Sequence, residues 1–211
     1  RPFFTENYMM FSLPIEMFYS RRIGDFKDLN NYNIEIPTII DYAIKVSGKE
    51  NNGFSYGLIR ASTKNEINDT LSIYPYVKEN IYSIARLKQD ILEGNSFIGI
   101  MATNYEGLRG TYTKDGDSYV NDGSSFSINS YSIDSKLNLL DNRLQSDLQI
   151  SQSVAEMKGY ANSLTINYNF DEYWSSYMSY DYIDEYFDNN DIGYIKRNDI
   201  NSRIFEVNYH D

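Results

Sequence analysis

The side chains best equipped for chemistry in this sequence are carboxylates crowded near its end: Asp181, Asp184, Glu185, Asp188 and Asp191. Carboxylate oxygens are hard donors, the kind that Ca²⁺ takes. The run Asp188-Asn189-Asn190-Asp191-Ile192-Gly193 puts Asp, Asn and Gly at positions one, three and six of a calcium loop, which makes Asp188, Asn190 and Asp191 the candidate ligands. Position five is Ile192, position twelve is Asp199 in place of a bidentate Glu, and no helical periodicity flanks the run. A solvated acidic loop or an internal salt-bridge cluster is the competing account, so the expectation is no cofactor, with Ca²⁺ as the alternative.

Cations offer a second kind of site. Arg21, Arg22, Arg86, Lys88 and Arg197 could form a basic stripe that selects anions, as rings of charge do in pores. The same side chains could instead neutralise Asp90, Asp191 and Asp199 inside a wet lumen. Arg21, Arg22, Arg86, Lys88, Asp90, Arg197 and Asp199 are therefore the expected lumen charge cluster. No catalytic residue is singled out. The chain has one His, at 210, and no Cys, which removes His-based triads and most zinc sites. No G-x-S-x-G elbow, P-loop or G-x-G-x-x-G occurs. Asp and Glu number 30, yet no spacing marks a pair for glycoside hydrolysis.

The elements that would carry these side chains have a period of two. Residues 80–104 contain two strand-like runs joined by Glu93-Gly94-Asn95-Ser96. In the first, Ala85 and Leu87 alternate with Arg86, Lys88 and Asp90. Ile40, Tyr42, Ile44 and Val46 alternate with Asp41, Ala43, Lys45 and Ser47, and Asn52-Gly53 supplies a hairpin turn before Phe54, Tyr56 and Leu58. The same pattern recurs at Leu137, at Leu148 and Ile150, at Leu164 to Tyr168, and at Phe205 to Tyr209. Met17 to Arg22 reads as a first strand ended by Gly24, while the apolar cluster before it has no clean period. Roughly nine or ten strands result, many near the ~9–11 residues that a tilted strand needs to cross a bilayer. Short turns alternate with long polar connections, the arrangement of a transmembrane β-barrel.

Composition leaves two architectures open. The 21 Tyr, 11 Phe and one Trp suit a membrane–water boundary but also a Tyr-rich β-sandwich. The mean hydropathy of -0.54 does not exclude a barrel, because only alternate residues of its strands face lipid. No run of 18 or more apolar residues exists, so a transmembrane helix is excluded. A net charge of -11 repels phosphate backbones, and no nucleic-acid partner is expected.

The segments Arg1-Pro2-Phe3-Phe4-Thr5-Glu6, Phe18-Tyr19-Ser20-Arg21-Arg22-Ile23-Gly24, Arg86-Leu87-Lys88-Gln89-Asp90 and the stretch 187–199 occur in an order that resembles an uncharacterised family of bacterial outer-membrane barrels. Its members usually carry an N-terminal carbohydrate-binding module of the family-9 type ahead of a large barrel. The resemblance implies an outer-membrane location and brings no catalytic residues. No such module is present here, so sugar binding is not carried over, and the last residues lack a terminal aromatic.

The expectation is thus all-β: an antiparallel up-and-down transmembrane β-barrel, with residues 1–211 as a single segment forming the N-terminal part of a larger barrel. Ile40, Tyr42, Ile44, Val46, Leu87, Leu137, Leu148 and Ile150 are expected to face the membrane. The lipid bilayer is the expected partner, with carbohydrate or a partner surface protein as a further one, in anchoring, uptake or surface display. A soluble exported β-sandwich that binds glycans is the alternative, and a glycoside hydrolase-like enzyme a weaker one.

Overall fold

A computed structural model describes residues 2–24, 27–29, 34–36, 38–67, 76–108, 112–115, 118–121 and 125–209. Alternating apolar and polar side chains, with turn residues between runs, set the strands out in chain order. They are β1 (Lys27–Leu29), β2 (Ile34–Ile36), β3 (Thr38–Lys49), β4 (Phe54–Ile67), β5 (Tyr76–Ile91), β6 (Ser96–Leu108), β7 (Tyr112–Asp115), β8 (Ser118–Asn121), β9 (Ser125–Leu139), β10 (Leu144–Val154), β11 (Lys158–Asn169), β12 (Trp174–Ile183) and β13 (Ile200–Tyr209). Nine of them form one sheet in the order β13-β12-β11-β10-β9-β6-β5-β4-β3, and β1-β2 and β7-β8 are small two-stranded pairs.

Every pairing in the large sheet is antiparallel and follows chain order, with β7-β8 inserted between β6 and β9. This is an all-β, up-and-down meander. It is not closed: β3 and β13 are its two edges. No second sheet stacks on it among the described residues, so the two-layer sandwich is not the architecture seen.

Gly53 holds the β3–β4 turn at φ 83°, a conformation open to Gly at no steric cost. The β9–β10 turn instead keeps Leu140, Asp141 and Asn142 at positive φ without any Gly.

The structure departs from the sequence expectation at two places. Met17 to Arg22 is not a strand. Residues 2–24 hold one short helical turn, Pro2–Thr5, and two 3-10 turns, Tyr8–Met10 and Ser20–Arg22, and otherwise run irregularly across one face of the sheet. Ile40 does not share a face with Ile44. The β3–β4 register shifts between Ile40 and Tyr42, and the extra residue, Asp41, reverses the alternation. Ile40 therefore packs against the core, and Ile39 takes the exposed side.

The core lies between that face of the sheet and two covering segments, residues 2–24 and 184–199. It joins Phe11, Met17 and Phe18 of the first segment and Phe187 and Ile192 of the second to Ile59, Tyr82 and Met101 of the strands.

Candidate lipid-facing surface and covered inner face

The uncovered face of the sheet is apolar. Tyr42, Ile44, Val46, Leu87, Leu148 and Ile150 are all exposed there, and Leu137 is half-buried on the same face. Ile98, Ile100, Ile133, Phe205 and Val207 join them; Ile44 and Ile133 are each 60 % exposed, and Phe205 is 72 % exposed. Charged side chains are scarce within this band. The row that holds Ile44 turns polar on the neighbouring strands: Arg60, directly opposite Ile44, donates to Ser83 (Nη1 to Oγ, 3.1 Å), and Asn104 to Asn129 (Nδ2 to Oδ1, 3.1 Å). At the short-turn end aromatic rings gather. Tyr168 meets Phe170 edge-on at 4.8 Å, and Trp174 lies 5.0 Å from Tyr209. Ten residues of β12 at ~3.3 Å rise and ~40° tilt span ~25 Å, the height of an outer-membrane apolar band.

The opposite face of the same strands is buried, and beside the apolar core it hides polar and charged groups. Arg86 is 1 % exposed and forms a two-pronged pair with Asp134, Nη1 to Oδ1 and Nη2 to Oδ2, the latter at 2.7 Å. Its Nε donates to the Met10 carbonyl at 3.3 Å. The partners sit on β5 and β9 with β6 between them. Gly99 of β6 leaves the room, since a Cβ there would lie 2.7 Å from a guanidinium nitrogen. The buried serines Ser130, Ser132, Ser151, Ser153, Ser163 and Ser179 line the rest of this wall.

The expected charge cluster is only partly assembled. Arg86, Lys88 and Asp90 share the inner side of β5, but Asp90 pairs with Lys49 at 2.6 Å and Lys88 lies 3.7 Å over the Phe97 ring. Arg86 is neutralised by Asp134, not by Asp90. A strand read in isolation pairs charges with near neighbours, whereas this pair forms across an intervening strand. Arg21 lies over Tyr19, and Arg22 donates to the Gly193 carbonyl at 3.1 Å, both within the covering segments. Arg197 and Asp199 are exposed at the entrance to β13. The seven residues thus occupy three places.

The calcium-loop residues serve the backbone. Asp188 Oδ1 accepts from the Asn190 amide at 3.4 Å, and Asn190 Oδ1 from the Ile195 amide at 2.8 Å. Asp191 is half-buried beside them. Among the described residues no group of three or more His, Cys, Asp or Glu side chains converges as a metal site. His210 lies outside the described residues.

The sequence reading did not single out two amides that organise the inner face. Gln149 donates to the Ile15 carbonyl at 3.1 Å and accepts from the Ile15 amide at 2.7 Å, acting as a strand partner for the covering segment. Asn189 donates to the Met17 carbonyl and accepts from Ser130 Oγ, each at 2.9 Å. The signals that could have pointed to them are the glycines facing the cover. At Gly57 a Cβ would lie 2.6 Å from Phe11, and at Gly159 it would overlap the Phe187 backbone. Away from the strands, the Tyr8 phenol is pushed up to about 12, first by burial and then by neighbouring Glu16, to which it donates at 3.1 Å. The exposed Tyr186 phenol is also raised, chiefly by its hydrogen bond with Glu185.

Sheet and surfaces together define an all-β, antiparallel up-and-down protein whose two faces differ sharply in chemistry. The chain belongs to the family described as "Domain of unknown function (DUF5916)", which matches residues 1–211. That description names no activity and no carbohydrate-binding module. No curated protein matches the chain. Among solved structures the chain is similar to a NanC porin determined in a rhombohedral crystal form. The two share 12 % identity over 80 % of this chain and 91 % of that one, with a TM-score of 0.36, too loose a likeness to argue from.

Proposed function

We propose that this chain forms a wall of a bacterial outer-membrane β-barrel, with the outward face of its nine-stranded sheet in contact with hydrocarbon. One observation carries the reading: Ile44, Ile98, Ile133 and Ile150 stand exposed on one side of a single sheet, while Arg86, Asp134 and Gln149 are buried on the other. Water-facing surfaces of monomeric proteins rarely leave contiguous apolar patches beyond a few hundred Å². Alternation of apolar-out and polar-in along every strand is what a barrel in lipid requires. In this reading the bilayer is the partner and anchoring or surface display the role. Among the described residues no arrangement singles out a bound sugar.

The open edges belong to the same proposal. An even number of antiparallel steps separates β3 from β13, so the two run in the same direction. Direct closure would set them parallel. An odd number of additional strands between them completes a fully antiparallel barrel and covers both edges.

The test is physical. The protein should require detergent for solubility, float with liposomes, and migrate faster on a gel when unheated than when boiled. A monodisperse protein in plain buffer, absent from the liposome fraction, would falsify the proposal.

A further inference from the structure

We infer that residues 2–24 and 184–199 form one internal plug that seals the inner wall against solute, held there by the amides of Gln149 and Asn189. The inference that this wall lines a lumen rests on the barrel reading above.

The two segments are joined to each other as well as to the wall. Tyr194 donates its amide to the Glu16 carbonyl at 3.0 Å, and Tyr19 donates to Ile192 at 2.9 Å. Arg22 Nε closes the same junction on Gly193. A Cβ at Gly193 would overlap both Asn189 and the Glu16 carbonyl, so the junction is packed without slack. The segments that meet here, around 16–22 and 189–194, lie far apart in sequence and on opposite sides of the sheet's strand order.

The joined unit spans the wall. Lys45 of β3 donates to the Phe3 and Glu6 carbonyls. Phe11 presses on Gly57 of β4, and Met10 receives Arg86 of β5. Ile15 is clamped by Gln149 of β10, and the Asp188 backbone amide donates to Ser153 Oγ at 2.9 Å. Phe187 packs on Gly159 of β11. Beneath the cover, Gln149 donates to Ser151 Oγ at 2.9 Å, which in turn donates to Ser132 Oγ at 3.1 Å, and all three side chains are buried. A wall intended for free diffusion would leave these hydroxyls to water. Here small serines let the plug approach closely, and their hydrogen bonds close on each other.

Gln149 fastens the first segment to the wall. It offers the Ile15 N–H and C=O the pair of bonds that a neighbouring strand would, and truncating it strands both groups in a buried site. Asn189 does the same for Met17 and Ser130.

A chain without cysteine allows a direct test. Ser151→Cys is placed behind the plug, and Asn142→Cys and Glu156→Cys at the exposed turns on the two ends of the sheet. Each is treated in the folded, membrane-inserted protein with a water-soluble, membrane-impermeant maleimide. The plug predicts labelling of Ser151→Cys roughly 100-fold slower than at either turn, and equal rates after denaturation. Adding Gln149→Ala should speed labelling of Ser151→Cys by about tenfold or more, with Asn189→Ala acting in the same direction. Labelling of Ser151→Cys within a few-fold of the turn sites, in protein that is folded and inserted, overturns the plug and leaves the barrel reading standing. Slow labelling in protein that stays out of the bilayer sinks the barrel reading instead. Should Gln149→Ala fail to fold, the comparison in the otherwise unaltered protein still decides.

Discussion

Ile133 and Asp134 are consecutive residues of β9, yet the first is 60 % exposed and the second is almost wholly buried, its carboxylate locked on Arg86. Their neighbours repeat the contrast: Leu87 is exposed beside Arg86, and Leu148 and Ile150 are exposed on either side of buried Gln149. In a water-soluble domain the burial would be the other way round, because removing a charge from water is costly while an isolated Ile gains by leaving it. On the barrel reading proposed above the inverted order follows, because the outward side then has a solvent other than water and the inward side has its own polar partners. Two regions of one sheet thus carry different obligations. The outer face must be apolar but need not be exact, whereas the inner face must satisfy each polar atom it hides.

The inner face should respond most strongly to substitution. Asp134→Ala leaves the Arg86 guanidinium buried without its carboxylate, and the expected loss is about 3–5 kcal/mol by denaturant unfolding in lipid. Replacing both partners with apolar residues of similar volume should recover much of it. On the outer face Ile133→Lys should cost about 2–4 kcal/mol in the bilayer, while Ile133→Leu should be near neutral. A lysine tolerated at 133 with unchanged folding in lipid would end the claim of a hydrocarbon-facing surface. Gly159→Val must push the Phe187 backbone off the wall, and about 1–3 kcal/mol of destabilisation is expected, with faster labelling of a buried inner-wall cysteine as the sharper readout. The smallest effect concerns Lys49, which is mostly exposed where it pairs with Asp90; Lys49→Met should change stability by no more than about 1 kcal/mol.

The plug also carries a pH signature. Tyr8 has its phenol raised from 10.0 to about 12 in the fold, so the folded state favours the protonated form. Its contribution is complete below pH 10 and is lost as pH climbs through the interval up to about 12. An alkaline titration of stability should fall in that window, and Tyr8→Phe should flatten the part of the fall that this phenol supplies.

Much of the sheet was readable because each strand announces itself locally. The alternation at Ile44 and Val46, the Asn52-Gly53 turn, and the runs through Leu87, Ile133 and Ile150 each need only a dozen residues of context. The inner face was harder because its logic is long-range. Nothing near Arg86 in sequence names Asp134 as its partner, and the decisive hint, Gly99, lies on the strand between them. Ile40 was misplaced for a related reason: a single added residue at Asp41 inverts the alternation, and only the β3–β4 register reveals it. The first 24 residues mixed aromatic, apolar and charged side chains without a period. That absence was the true signal, since a segment laid across a wall contacts it residue by residue and has no face to repeat. The calcium-like spacing at 188–193 has a similar origin. Tight turns favour Asp, Asn and Gly for their backbone hydrogen bonds, as Asp188 and Asn190 show, and metal loops draw on the same residues.

If the barrel reading is right, one face of the sheet meets hydrocarbon and the other does not. Spin labels at positions 44, 133 and 150, and at 134 and 151, each introduced as a single cysteine in protein reconstituted into liposomes, test it most directly. The first three should relax readily with oxygen and little with a polar nickel reagent, and the last two should respond weakly to both. Strong relaxation by the nickel reagent at 44, 133 and 150, equal to that of a label at the exposed turn residue Asn142, would contradict it.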